Sequence, residues 1–203
     1  MKVIFLDNDG VICLANNWGS RLKKQKEWGG MKLSMRGREI PLEYRFDNFD
    51  EKAVKVLNEI LEQTDAEIVV SSDWRFHGTL EELGDYYESQ GIIKRPMDFT
   101  ERFHYTDWTE EGFLPDDESN FPWSRTDDLE QQRYFEITRW LSRNPSVTHW
   151  VAVDDLHMGI KVEASSYGPF ERDWGLSNFV WTPRDWEGIK QSGVKDKILK
   201  YLL

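Results

Sequence analysis

Three short apolar runs, each ending in acidic or hydroxyl side chains, constrain this chain more than any other feature. Val3-Ile4-Phe5-Leu6 leads into Asp7-Asn8-Asp9-Gly10, Ile68-Val69-Val70 into Ser71-Ser72-Asp73-Trp74-Arg75, and Trp150-Val151-Ala152-Val153 into Asp154-Asp155. Unbroken apolar runs of this length suit parallel strands buried on both faces by helices. The stretches between them supply those helices. From Asp50 to Gln63, the residues Ala53, Val54, Leu57, Ile60 and Leu61 recur at helical spacing, with Asp50 as N-cap. Thr79 to Gln90 predicts a second helix, ending before Gly91. Leu129 to Arg143 predicts a third, with Phe135, Ile137, Trp140 and Leu141 as its apolar positions. Phe179 to Thr182 reads as a further strand and Asp185 to Leu203 as a C-terminal helix. Such alternation implies an α/β fold: a central, mostly parallel sheet flanked by helices and joined by right-handed crossovers. The 203 residues suffice for one domain with a sizeable core.

Two stretches break this rhythm. Residues 13–48 carry Arg21, Lys23, Lys24, Lys26, Lys32, Arg36, Arg38 and Arg45, and residues 94–128 are acidic and aromatic, with Phe99, Phe103, Tyr105, Trp108, Phe113, Phe121 and Trp123. Both read as insertions over the ends of the sheet, so residues 1–203 form one domain with a small cap or flap. The basic stretch suits either a solvated flap or a contact to a phosphate backbone. The aromatic stretch suits either the core of a small cap or a surface that stacks bases. A net charge of −11 argues against nonspecific nucleic-acid binding by the whole surface. The single cysteine, Cys13, excludes an intramolecular disulfide and a multi-cysteine zinc site, and reads as a buried structural thiol. Ten tryptophans are too many for a core of this size, which places some at a cleft or a partner face. No apolar run approaches the ~18 residues that a membrane-spanning helix needs. The chain starts directly on a strand without a signal-peptide layout, so the expected location is the cytoplasm.

In open α/β sheets ligands bind beyond the carboxyl ends of the strands. The three runs deliver Asp7, Asp9, Ser71, Asp154 and Asp155 to that edge. Clustered carboxylates raise one another's pKa, and a hard divalent cation relieves the repulsion. Magnesium suits such a site because it takes oxygen ligands and keeps waters for a phosphate partner. A carboxylate beside a metal-held phosphate can attack phosphorus to form an aspartyl-phosphate. A second carboxylate can protonate the leaving oxygen and then activate water.

Asp7-Asn8-Asp9-Gly10-Val11 resembles the first motif of the haloacid-dehalogenase-type (HAD) phosphatases, a strand followed by Asp-x-Asp-Gly-Thr/Val. Ser71 after its strand is similar to the second motif of that superfamily, and Asp154-Asp155 to the fourth. Arg133, opening the third helix, is the best match to the lysine or arginine of the third motif; Lys94 and Arg125 are the other candidates. Ser-Ser-Asp-Trp-Arg, with the later Arg-x-x-x-Ile-x-x-Trp-Leu from Arg133 to Leu141, resembles more narrowly the HAD branch of RNA-repair proteins and polynucleotide phosphatases. The resemblance implies a Rossmann-like HAD fold and a magnesium-dependent phosphomonoester hydrolase. Asp7 is then the nucleophile and Asp9 the general acid/base. Asp7, the Asp9 main-chain carbonyl and Asp154 would hold Mg2+, with Asp155 direct or through water. Ser71, with Ser72 beside it, and Arg133 would grip the phosphate, and Arg75 is a further phosphate contact. The implied substrate is a phosphate on a nucleic-acid end or a nucleotide. The second carboxylate, Asp9, separates the chain from the dehalogenases proper.

Each residue also has an ordinary structural reading. Asp9-Gly10 is a turn signal, Asp154-Asp155 a helix N-cap pair, Ser71 a turn serine and Arg133 a solvated helix arginine. Arg75 equally suits a structural salt bridge, and His157 is more often a packing residue than a site residue. A small-metabolite phosphatase, a phosphotransferase and a non-catalytic phosphate-binding module remain as alternatives of the same fold.

Overall fold

A computed structural model of the protein describes residues 1–28, 40–102, 127–162, 170–171 and 174–203. Its centre is a five-stranded, all-parallel sheet of order β3-β2-β1-β4-β7. The strands are β1 (Lys2–Leu6), β2 (Glu67–Val70), β3 (Asp98–Phe99), β4 (His149–Asp154) and β7 (Phe179–Trp181). A separate antiparallel pair, β5 (Lys161–Val162) and β6 (Phe170–Glu171), follows β4. The three apolar runs are thus the three central strands. Each is apolar on both sides because both sides are covered.

Ile4, Leu6, Ile68, Val70, Val151, Val153 and Val180 face one core layer. That layer is built from α3 (Glu51–Thr64), α4 (Leu80–Ser89) and α6 (Val194–Leu202). Val3, Phe5, Val69 and Ala152 face the other layer, packed on Ile137 and Trp140 of α5 (Asp127–Arg143). The Phe5 and Trp140 rings meet edge to face at 5.3 Å.

The helix starts follow local chemistry. Asp50 caps α3 by accepting the Ala53 N–H at 2.9 Å. Thr79 caps α4 in a reciprocal capping box with Glu82. The expected C-terminal helix over 185–203 is instead a 3-10 turn at Gly188–Lys190 followed by α6. Gly193 has φ +80°, a left-handed conformation that cannot lie within a continuous α-helix, and α6 starts immediately after it.

The two irregular stretches divide differently from the sequence pattern. The region from residue 94 begins as part of the sheet, because Asp98–Phe99 pairs in parallel with Val69–Val70 as the edge strand β3. Lys94 belongs to that connection. It pairs with Asp65 and Glu67 at 2.6 and 2.9 Å, at the end of β2 opposite Ser71, and so is no third-motif cation. Residues 103–126, including Arg125 and most of the aromatic residues named above, lie outside the described residues.

In the basic stretch, α1 (Ser20–Glu27) and α2 (Leu42–Arg45) are formed, while Lys32, Arg36 and Arg38 lie outside the described residues. Arg45 is buried against Glu82 at 2.8 Å, and Arg21 pairs with Asp47 at 3.5 Å. Lys24 donates to the Phe46 carbonyl at 2.7 Å. Arg45 thus fastens the segment to α4, helped by Lys24, which also reaches the Tyr86 hydroxyl at 3.3 Å, while the Arg21 and Lys24 contacts to Asp47 and Phe46 hold the segment to itself. Among the described residues no helix is long and apolar enough to cross a membrane.

Candidate active site

Register places the site. Leu6 pairs with Val70 on one side and Val153 on the other, so the next residues, Asp7, Ser71 and Asp154, emerge side by side. The Asp7 N–H donates to Val153 O at 3.1 Å and the Ser71 N–H to Leu6 O at 2.9 Å. Beyond Asp7 the chain turns back on itself. The Asn8 carbonyl accepts the N–H groups of Val11, Ile12 and Cys13, and the Asn8 side chain is fixed by the Tyr87 hydroxyl at 2.5 Å. Gly10 takes φ +72°. A Cβ there would lie 2.7 Å from Asp155 Cγ, so both backbone conformation and close approach require glycine.

A cavity of about 390 Å3 opens over this edge. Asp7, Asp9, Ser72, Asp73, Arg75, Phe76, Arg102, Arg133, Glu136 and Asp155 are among its walls. Arg133 is the electrostatic centre. One guanidinium nitrogen, Nη1, donates to Asp7 Oδ1 at 3.0 Å, to Asp154 Oδ2 at 3.0 Å and to the Ser71 carbonyl. Its other terminal nitrogen lies 3.5 Å from Asp73. The second oxygen of Asp154 accepts the Leu156 N–H at 2.8 Å.

Oxygens of Asp7, Asp154 and Asp155 converge within 4.8 Å of one another. Burial raises all three carboxyls above the ordinary range. Arg133 opposes the rise, and neighbouring carboxylates add to it. One guanidinium cannot balance three converging carboxylates. Hard oxygen donors with surplus negative charge are the donor set that a divalent cation such as Mg2+ takes. Asp9 stands slightly apart, on the pocket wall, with Oδ2 accepting the Trp74 indole N–H at 2.9 Å. Its carboxyl is also raised by burial, against hydrogen bonds from Trp74 and Cys13.

The remaining expected residues separate. Ser72 lines the cavity, whereas the Ser71 side chain does not, although Ser71 contributes its carbonyl to Arg133. The Ser71 hydroxyl is buried with no hydrogen-bond partner among the described residues. Arg75 is on the wall but committed inward, to Glu136 at 2.7 Å and Thr100 at 3.2 Å, with both members of the ion pair buried. His157 packs against the Trp181 and Phe179 rings, outside the cavity. Cys13 is buried, and burial pushes its thiol far up, as expected of a structural cysteine.

Residues to which the sequence pattern gave no role are Trp74, Phe76, Arg102 and Glu136. Trp74 and Phe76 sit just past the β2 run, in the 3-10 turn Asp73–Phe76. Their distance from a strand's carboxyl end is the signal that marks them. Glu136 carried no such signal, because an acidic residue on a mixed helix reads as solvated until the helix is seen to be covered.

A parallel sheet whose central strand ends in Asp-Asn-Asp-Gly, flanked by strands ending in Ser-Ser and Asp-Asp, defines a HAD-type α/β domain of the phosphatase class. The chain belongs to the family described as the HAD domain in Swiss Army Knife RNA repair proteins, whose family model matches residues 3–176. No curated protein and no solved structure matches the chain.

Proposed function

We propose that the protein is a Mg2+-dependent phosphomonoesterase working through an aspartyl-phosphate on Asp7. The observation that carries this reading is the Asp7–Arg133–Asp154 bridge at the cavity floor, with Asp9 on the wall beside it. Asp7, Asp154 and Asp155, with the Asp9 main-chain carbonyl, are the groups that would hold Mg2+. When bound, the ion supplies charge neutralisation to the phosphoryl oxygens.

Arg133 holds Asp7 Oδ1, which leaves Oδ2 as the attacking oxygen. Attack forms an Oδ2–P bond and breaks the ester P–O bond, and Asp9 delivers a proton to the departing alkoxide. Water then attacks the phosphorus of the aspartyl-phosphate. Asp9 takes its proton, the P–O bond to Asp7 breaks, and inorganic phosphate leaves. Arg133 and the Ser72 hydroxyl bear on the charge that builds on the phosphoryl oxygens.

The favoured substrate is a phosphate on a nucleic-acid end or a nucleotide. The description of the family supports it. So does the cavity rim, where the exposed Phe76 ring has the guanidinium carbon of the exposed Arg102 at 5.3 Å from its centroid. An aromatic face with an adjacent cation suits a base and its phosphate.

The test is phosphate release with Mg2+ from p-nitrophenyl phosphate, 3′- and 5′-mononucleotides, and oligonucleotides phosphorylated at either end. Wild type should turn over, and Asp7→Asn should lose about 10³-fold or more. The fastest substrate then identifies the class. Equal rates for oligonucleotides and simple phosphomonoesters would favour a small-metabolite enzyme, and full activity in Asp7→Asn would remove the covalent mechanism.

A further inference from the structure

Asp9 lies beyond the last residue of β1, next to a left-handed glycine, and strand geometry does not set the direction of its side chain. The general acid of a phosphoryl transfer must nevertheless reach one oxygen, the one that leaves. The structure supplies a fixing contact from the neighbouring strand. The turn after β2 brings Trp74 behind Asp9, and the indole N–H donates to Asp9 Oδ2 at 2.9 Å. Trp74 is 5% exposed and is not part of the cavity wall, so it does not meet the substrate.

The indole is itself held. Phe46 stacks on it at 4.8 Å with 14° between the planes, and Phe49 at 5.3 Å with 21°. Tyr86 closes the cluster at 6.0 Å. Those two phenylalanines belong to the segment that joins α2 to α3, which Lys24 and Asp47 tie to α1.

We infer that Trp74 is the positioning residue for Asp9: its N–H pins Oδ2, and the Phe46–Trp74–Phe49 stack pins the indole. The inference rests on the reading of Asp9 as general acid/base. An indole N–H donates and never accepts. It therefore suits Oδ2 as an acceptor in both protonation states and keeps the transferable proton on Oδ1. A buried indole N–H needs an acceptor, and here that acceptor is the carboxylate standing beside Asp7 on the cavity wall.

Leaving-group dependence tests this. A general acid matters most for a poor alkoxide leaving group and little for p-nitrophenolate. A merely structural loss reduces kcat/KM for all substrates alike. Two replacements remove the donor: Trp74→Phe, and benzothienylalanine at position 74, which keeps the bicyclic shape without the N–H. With either, kcat/KM for an alkyl or nucleoside phosphate should fall by about 10- to 100-fold, a part of the 10²–10⁴ that general acids contribute. The value for p-nitrophenyl phosphate should change by less than about 3-fold on the same basis. In an Asp9→Asn background the same replacements should cost nothing further.

Phe49→Leu, which loosens the stack but keeps the N–H, should steepen the leaving-group dependence in the same direction by a smaller amount. Uniform loss across leaving groups, unchanged rates, or full additivity with Asp9→Asn would each overturn the inference. Inactivity of the wild type would instead overturn the phosphatase reading itself.

Discussion

Arg75 and Arg133 lie on one cavity wall and look alike in sequence, yet they have different duties. Arg133 is shared among Asp7, Asp154 and the Ser71 carbonyl, so its charge is spent on the carboxylate cluster at the sheet edge. Arg75 is matched by Glu136, and both are buried. A pair of this kind is a weak source of net stability but is costly to break one-sidedly, because the survivor keeps its charge without its partner. Glu136→Gln should therefore destabilise by about 3 kcal/mol, read as a lower denaturant midpoint in urea. Replacing both residues by apolar ones of similar volume should cost less than either single change. A double-mutant cycle without coupling would show that Arg75 is free for substrate, as the sequence pattern alone allowed.

Among the elements, α3 shows how a local signal becomes tertiary. Asp50 accepts the Ala53 N–H at 2.9 Å and also pairs with Lys190 at 3.0 Å, so one cap ties the helix to the turn before α6. Burial pushes the Asp50 carboxyl up, but the Ala53 N–H and Lys190 outweigh it and the net shift is downward. A folded pKa below the unfolded one gives stability that is present above the ordinary carboxylate range. It is lost as pH falls through the depressed value. Asp50→Ala should cost about 1 kcal/mol at pH 7, and a chain of this size should lose about 2–4 °C in Tm. The difference from wild type should close as the pH is taken below the ordinary carboxylate range. A gap that persists there would show that the cap acts through packing and not through charge.

At the scale of the whole molecule, the sheet gathers more negative charge at one edge than its own cations balance. Asp7, Asp154 and Asp155 have carboxyls raised first by burial and, against the pull of Arg133, by neighbouring carboxylates including Asp9. A folded pKa above the unfolded one contributes stability only below the unfolded value, and that contribution is lost as pH rises through the folded value. At neutral and alkaline pH the fold therefore carries a repulsion that a divalent cation, binding the folded state alone, relieves. Millimolar Mg2+ should raise Tm by several degrees at pH 8, equivalent to about 1–3 kcal/mol, and by much less at pH 5.5. Asp154→Asn should weaken the effect. Scanning calorimetry at the two pH values decides it, and a Mg2+ effect independent of pH would count against these carboxylates as the ligands.

Short-range pattern was enough for the parallel sheet, for α3 with its Asp50 cap, for α4, and for Asp7, Asp9, Asp154 and Asp155 at one edge. Apolar runs report burial on both faces, and a strand's end is by geometry the place where a ligand site forms. The same pattern could not foresee that the region from residue 94 opens with an edge strand, since two residues carry no periodicity. Nor could it foresee that Gly193 divides the C-terminal helix, since a lone glycine is compatible with a helix until its φ is known. Which arginine meets Asp7, whether Ser71 or Ser72 faces the cavity, and what holds Asp9 were decided only in three dimensions. Arg133 lies 126 residues from Asp7 and Trp74 lies 65 from Asp9. Contacts that distant depend on how the helix and strands pack, and side-chain packing leaves no periodic trace in the chain that encodes it.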